Sequence, residues 1–253
     1  MEDPFSALAR EELGGCPGYV TERCTSTMDI AWDLCTCGML PEYGWVLAKS
    51  QTRGRGQFGR EWVSGTGNLF VTVRLPDAAR TLGGFLSLAV ALGVVRVIES
   101  LKVQASIKWP NDIMAGHAKV GGILIEQRAE ITMAGIGLNI CEAPSRSHGE
   151  SFFHIQAGCL QSFGVNLNSS RLWSLVLESI ITQIPGMISD PSAAVEKAQT
   201  FLAWKGESVV LDSTGSADGP ARILGIDTQG RLRIQTTRGI TAISSGRIIP
   251  RVV

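Results

Sequence analysis

The sequence predicts an α+β fold, a strand-rich sheet backed by apolar helices and followed by a small β-barrel. Three observations predict it. Residues 82–95 are apolar all round, the mark of a helix with no solvent face. Short apolar, β-branched runs stand on both sides of that stretch, interrupted by helical patterns. After Lys205-Gly206 the helical patterns stop, and only short strand-like runs between turn signals remain, which divides the chain into residues 1–204 and 205–253.

Taken in order, Ser26 and Asp29 stand at capping-box spacing ahead of Ile30, Ala31 and Leu34, predicting a helix from about Thr27 to Gly38. Val46-Leu47-Ala48 reads as a short buried strand entering a loop rich in glycine and arginine, and residues 69–75 as the strand leaving it. The apolar helix follows, then strands near residues 106–109, 122–126 and 131–136, a sheet that this helix backs. Helical patterns return over residues 170–184 and 191–204, the second with Pro191 suited to its first turn. Residues 208–211, 221–226, 232–235 and 240–243 then read as short strands, with turn signals at Asp218-Gly219 and Gln229-Gly230.

An apolar content of 44% over 253 residues supports a sizeable core rather than disorder. Lys+Arg 23 against Asp+Glu 23 gives no net charge, which argues against a general nucleic-acid binder. Cys16, Cys24, Cys35, Cys37, Cys141 and Cys159 have neither zinc-ribbon spacing nor the density of a disulfide scaffold, so they read as reduced structural thiols. The acidic start Met1-Glu2-Asp3-Pro4 lacks the order of a signal peptide, making the cytosol the expected compartment. The apolar run between Arg80 and Arg96 is shorter than the roughly 20 residues a membrane span needs, so no membrane role is expected.

The most informative segment runs from Gln51 to Trp62, where Gly54, Gly56 and Gly59 alternate with Arg53, Arg55 and Arg60. Glycine lets the backbone close on a ligand, and guanidinium groups fork onto carboxylate or phosphate oxygens, so an anion trap is expected. The glycines also satisfy G-x-G-x-x-G, with Asp77 downstream, but residues 61–68 continue as loop into a strand instead of opening a helix, against a dinucleotide fold. No Gly-Lys-Ser/Thr follows, against a P-loop. Two further clusters add polar groups at strand ends: Lys108-Trp109-Pro110-Asn111-Asp112, and Lys119 with Gly121-Gly122 leading to Glu126. Gly135, Gly137 and Asn139 supply a close-approach pair and an amide. Each cluster alone is compatible with structure only; together they point to a site.

Ser26-Thr27, the GRGxxGRxW loop, KWPND, KxGGILxE and GxGxN stand here in an order and at spacings that resemble the biotin protein ligases, over nearly the whole chain. The resemblance implies a mixed sheet with packed helices of the class II aminoacyl-tRNA-synthetase-like kind, followed by an SH3-like C-terminal domain. It implies ATP with Mg²⁺ as cofactors, biotin as substrate, biotinyl-5′-AMP as intermediate and a lysine of a biotin carboxyl carrier protein as acceptor, in a monomer or homodimer. Lys119, Lys108, Asp112 and Arg55 become the expected catalytic residues, Lys119 facing the biotin carboxylate and the α-phosphate, with Asp112 a candidate to take the proton from the incoming lysine. Ser26, Thr27, Gln51, Gly54, Arg55, Gly56, Trp62, Lys119, Gly122, Gly135 and Gly137 are expected around biotin. Arg55, Arg60, Trp62, Lys108, Asn111, Asp112 and Asn139 are expected around the adenylate. No dedicated metal cage is implied, because Mg²⁺ commonly leans on substrate phosphates.

Two departures stand out. Gln57 occupies a loop position where the family usually carries a third arginine, implying looser retention of the acyl-adenylate or an altered mode of loop closure. Only about 25 residues precede Ser26, without a helix-turn-helix, so no DNA binding is expected. The rival readings are a lipoate or octanoate ligase, whose arginine-pair and triple-glycine signature is missing, and an inactive biotin sensor, against which both lysines speak.

Overall fold

The computed structural model describes residues 5–144, 155–212 and 219–250. The acidic residues 1–4 and Asp218 of the expected Asp218-Gly219 turn lie outside them. An antiparallel hairpin, β1 (Ala9–Leu13) and β2 (Cys16–Cys24), leads into α1 (Thr27–Thr36), then β3 (Trp45–Gln51) and β4 (Leu69–Leu75). After a 3₁₀ segment, Asp77–Phe85, come α2 (Leu86–Ser100), β5 (Ala105–Lys108), β6 (Asp112–Ala115), β7 (Ala118–Arg128) and β8 (Ile131–Leu138). These strands form one eight-stranded sheet ordered β1-β2-β3-β4-β8-β7-β6-β5, mixed because β2 and β3 run parallel.

The strand β3 shows how the sequence builds two cores, since successive side chains point to opposite faces. Trp45 and Leu47 join the larger core, beneath α2 and α3 (Ser169–Ser189), while Val46 joins a smaller one with Met28, Trp32 and Leu34 of α1. Ser26 caps α1 by accepting from the Met28 amide at 3.3 Å, and Asp29 lies in its first turn, where the helix dipole favours a carboxylate. α3 and α2 touch closely at Gly93, whose missing side chain admits Ile180. α4 (Pro191–Thr200) begins as expected, with Asp190 accepting from Ala193 and a proline at the first position.

By length and composition, Asp77–Ser100 and Ser169–Ser189 are each long and apolar enough to cross a membrane, so length alone does not exclude a span, contrary to expectation. Within the first, the apolar window is 72% buried inside the protein and Gly83 turns the chain at φ 52, which makes it the core helix of the sheet.

β9 (Ser208–Asp212), β10 (Gly219–Ile226), β11 (Leu232–Thr236), β12 (Gly239–Ile243) and β13 (Arg247–Pro250) form a second, antiparallel sheet ordered β12-β11-β10-β9-β13. The expected barrel is thus described as a five-stranded sheet, with β13 an addition that the sequence pattern did not announce.

Candidate active site

The face of the large sheet that carries α1 is stripped of side chains at three neighbouring points. Gly135 and Gly137 are two apart on β8, so they share a face, and Gly137 lies directly across from Gly122 on β7. A Cβ on Gly137 would stand 2.6 Å from the Trp62 indole, one on Gly122 3.2 Å from it, and one on Gly135 3.1 Å from the Met28 methyl. These glycines form a bare floor on which Trp62 lies. The indole Nε1 is buried and without a partner among the described residues. Above this floor opens a cavity of about 700 Å³.

Charge gathers at its mouth around Asp112. Lys108 faces Asp112 across the β5–β6 hairpin, and its Nζ donates to Oδ2 at 2.6 Å. Lys119 Nζ meets Oδ1 at 2.5 Å, through a less obvious route. In regular register with Asp112 opposite Gly122, Lys119 would oppose Ala115 and point to the other face. A β-bulge between Ile113 and Met114 puts Lys119 opposite Met114 instead, two residues from Asp112 and on the same face. Burial alone would push the Asp112 carboxyl up, but the Lys119 and Lys108 charges hold it below the usual carboxylate range. Lys119 also stands 5.7 Å from the Trp62 ring centroid, within cation–π reach.

The Asp112 carboxylate thus stands between two ammonium groups, one on each oxygen. Asn111 lines the cavity, its Nδ2 donating to the Ile123 carbonyl at 2.8 Å.

At the other end Gln51 closes a polar corner. Its Oε1 accepts from the Thr27 amide at 2.8 Å and from the Thr27 hydroxyl at 3.3 Å, and that hydroxyl lies 2.9 Å from Thr72 Oγ1. Ser26, Thr27, Gln51 and Thr72 all line the cavity.

The Gly/Arg loop makes the lid. Gly54 accepts from the Trp62 amide at 2.9 Å and the Gly56 amide donates to Arg60 at 2.8 Å, closing the loop on itself, with a 3₁₀ turn at Gln57–Gly59 and no helix after Gly59. Arg55 lines the cavity and pairs with Asp29 of α1 at 2.8 Å and with Glu126 of β7 at 3.3 Å, straddling the floor. Arg60 lines the cavity with no carboxylate partner among the described residues. Gly56 and Gln57 line it too, as does Phe58, 82% exposed at φ 58.

Two expected residues stay outside the lining. Gly54 is buried against the Trp62 backbone, where a Cβ would stand 2.6 Å from the carbonyl oxygen. Asn139 is likewise buried, and its Nδ2 donates to the Gly158 carbonyl at 3.0 Å, which ties down the chain beyond β8. Conversely, Met28, Thr72 and the segment Ala242, Ile243, Ser244, Ser245, Gly246 and Arg247 line the cavity without having been anticipated. That segment belongs to the second sheet, and its short polar pattern carries no signal of a site. All six cysteines are free; burial, then Asp29, pushes the Cys24 thiol up to about 11, so it stays protonated.

A sequence profile of the Biotin/lipoate A/B protein ligase family matches residues 20–140, the span holding nearly all of these groups. Residues 20–140 thus carry the sequence pattern of the biotin/lipoate A/B protein ligase family. The biotin–[acetyl-CoA-carboxylase] ligase of Mycobacterium tuberculosis is 28% identical over 212 residues, covering 81% of this chain and 77% of that protein. The bifunctional ligase/repressor of Escherichia coli is 31% identical over 203 residues, covering 75% of this chain and 60% of that protein. Among solved structures, the biotin protein ligase of Aquifex aeolicus in complex with biotin and ATP superposes with a TM-score of 0.76 at 24% identity, covering 91% of this chain and 97% of that one. The Leishmania major biotin protein ligase in complex with biotin gives 0.62 at 26% identity, with 89% and 97% covered.

Proposed function

We propose that this chain is an ATP-dependent biotin protein ligase that joins biotin to ATP as biotinyl-5′-AMP, releasing pyrophosphate, and passes the biotinyl group to a lysine of a carboxylase's carrier domain in the cytosol. One observation carries this reading: a buried carboxylate holds two lysines at the mouth of a cavity whose floor is bare glycine under an indole. The floor admits a flat apolar ring system, and the Thr27–Gln51 corner offers donors and acceptors to a ureido group. Lys119 and Lys108 offset charge where a carboxylate oxygen must approach the α-phosphorus of a polyanion, and Arg60 adds a third cation.

Mg²⁺ fits as a companion of the nucleotide. Both oxygens of Asp112 are engaged by lysines, and no cluster of three or more His, Cys, Asp or Glu lies among the described residues, an arrangement in which Mg²⁺ would be held chiefly through the nucleotide's own phosphates. Bound there, Mg²⁺ supplies charge neutralisation on the leaving pyrophosphate. Residues 205–253 act as a second, SH3-like domain that closes the cavity.

Pyrophosphate release from ATP tests the assignment. It is expected to require biotin, to be absent with octanoate or lipoate, and to vanish in Lys119→Ala; release that ignores biotin, or prefers the fatty acids, overturns it.

A further inference from the structure

The contact between the two sheets runs through the middle of the motif that carries Lys108 and Asp112. Trp109, 1% exposed, donates its indole N–H to the Gly230 carbonyl at 2.8 Å. Gly230 sits at φ 75 and so close to the 3₁₀ segment that a Cβ on it would stand 2.5 Å from the Gly84 carbonyl oxygen. From the other side, a Cβ on Gly84 would stand 2.5 Å from the Gln229 carbonyl oxygen. Backbone lies against backbone on both flanks, and close-packed backbone has no room to slide. Two residues after Gly230, Leu232 pairs with Ile243 across β11 and β12, and Ile243 enters the segment to Arg247 that lines the cavity. A path of one side-chain hydrogen bond, a short stretch of chain and the β11–β12 pairing therefore joins the Lys108–Asp112 turn to the wall that the second sheet contributes.

We propose that Trp109 is a positioning residue for the nucleotide: by fastening Gly230, it fixes how far Ser244, Ser245 and Arg247 stand from Lys108 and Lys119, and hence the width of the polyanion's compartment. This rests on the ligase reading above. The biotin corner at Thr27 and Gln51 belongs to α1 and β3, outside this path, so its geometry is independent of the contact.

The test uses the full chain, with steady-state pyrophosphate release for the native protein, Trp109→Phe and Gly230→Ala, each checked for folding by thermal melting. Trp109→Phe keeps an aromatic side chain while deleting the N–H and part of the buried indole; with melting confirming the fold, it is expected to raise KM for ATP about fivefold, as loss of one buried hydrogen bond does, leaving kcat and KM for biotin close to native. Gly230→Ala is expected to raise KM for ATP further, and if it fails to fold, Trp109→Phe decides alone. A native KM for ATP in folded Trp109→Phe, a parallel rise in KM for biotin, or a fall confined to kcat overturns the proposal. If the native chain releases no pyrophosphate with biotin, the ligase reading fails instead. Calorimetric ATP binding to native and Trp109→Phe chains then decides this one, equal affinities overturning it.

Discussion

Asp112→Asn separates a carboxylate that positions lysines from one that accepts a proton. In the native protein the carboxylate makes two charge-assisted contacts, at 2.6 Å to Lys108 and 2.5 Å to Lys119, with 11% of its side chain exposed. Removing one partner of a buried pair typically costs about 3–5 kcal/mol, because the remaining charge is left uncompensated. Lys108, 12% exposed, approaches that limit, whereas Lys119, 33% exposed, is partly screened by water and its share is discounted. The amide retains one acceptor, so a net loss of about 3 kcal/mol is expected. In a chain of this size that lowers Tm by roughly 6–12 °C. Thermal melting at neutral pH reads this directly, and separate assays of biotin-dependent pyrophosphate release and of transfer from preformed biotinyl-AMP read the chemistry. Both half-reactions are expected to slow, the first at least as much as the second, since both lysines lose their anchor. A variant that melts within about 2 °C of native and loses only the transfer step would refute the reasoning and restore Asp112 as a base.

Three further outcomes are expected. Because burial raises the Asp112 carboxyl but the Lys119 and Lys108 charges outweigh it and hold the group below its ordinary range, its contribution to stability is complete above about pH 4 and drains as pH falls through the lowered folded-state value; Tm against pH should lose that acid limb in Asp112→Asn. Gly137→Ala sets a methyl 2.6 Å from the Trp62 ring, where the ring must shift off the floor; KM for biotin should rise at least about tenfold at a stability cost of about 1–3 kcal/mol, and a native KM contradicts the floor. Gln57→Arg adds a guanidinium at the cavity lining and should slow release of biotinyl-AMP severalfold in a chase experiment, with an equal rate excluding a retention role.

Much of the site was legible in the chain because its groups are local. The strand Leu69–Leu75, the Ser26 cap, the proline opening α4 and the loop that declines to become a helix all rest on neighbouring residues, and each stands as read. What escaped depends on pairing. β1 has a mostly exposed, charged pattern and acquires strand form from β2, while β6 begins with an aspartate that by itself signals a turn. Likewise the pairing of Arg55 with Asp29 and Glu126, distant in the chain, is decided only when the fold brings them together.

The amino-acid sequence by itself determined which chemistry is available: two lysines, an aspartate, a lid of glycine and arginine, and three glycines spaced to leave one patch of sheet bare. Only the tertiary structure decided how they act together. A single bulge turns Lys119 onto the face of Asp112, and the indole of Trp109 brings the second sheet to the cavity. Alternation along a strand is written in the sequence, but the register between strands, and therefore which face a residue meets, is set by the packing of the whole.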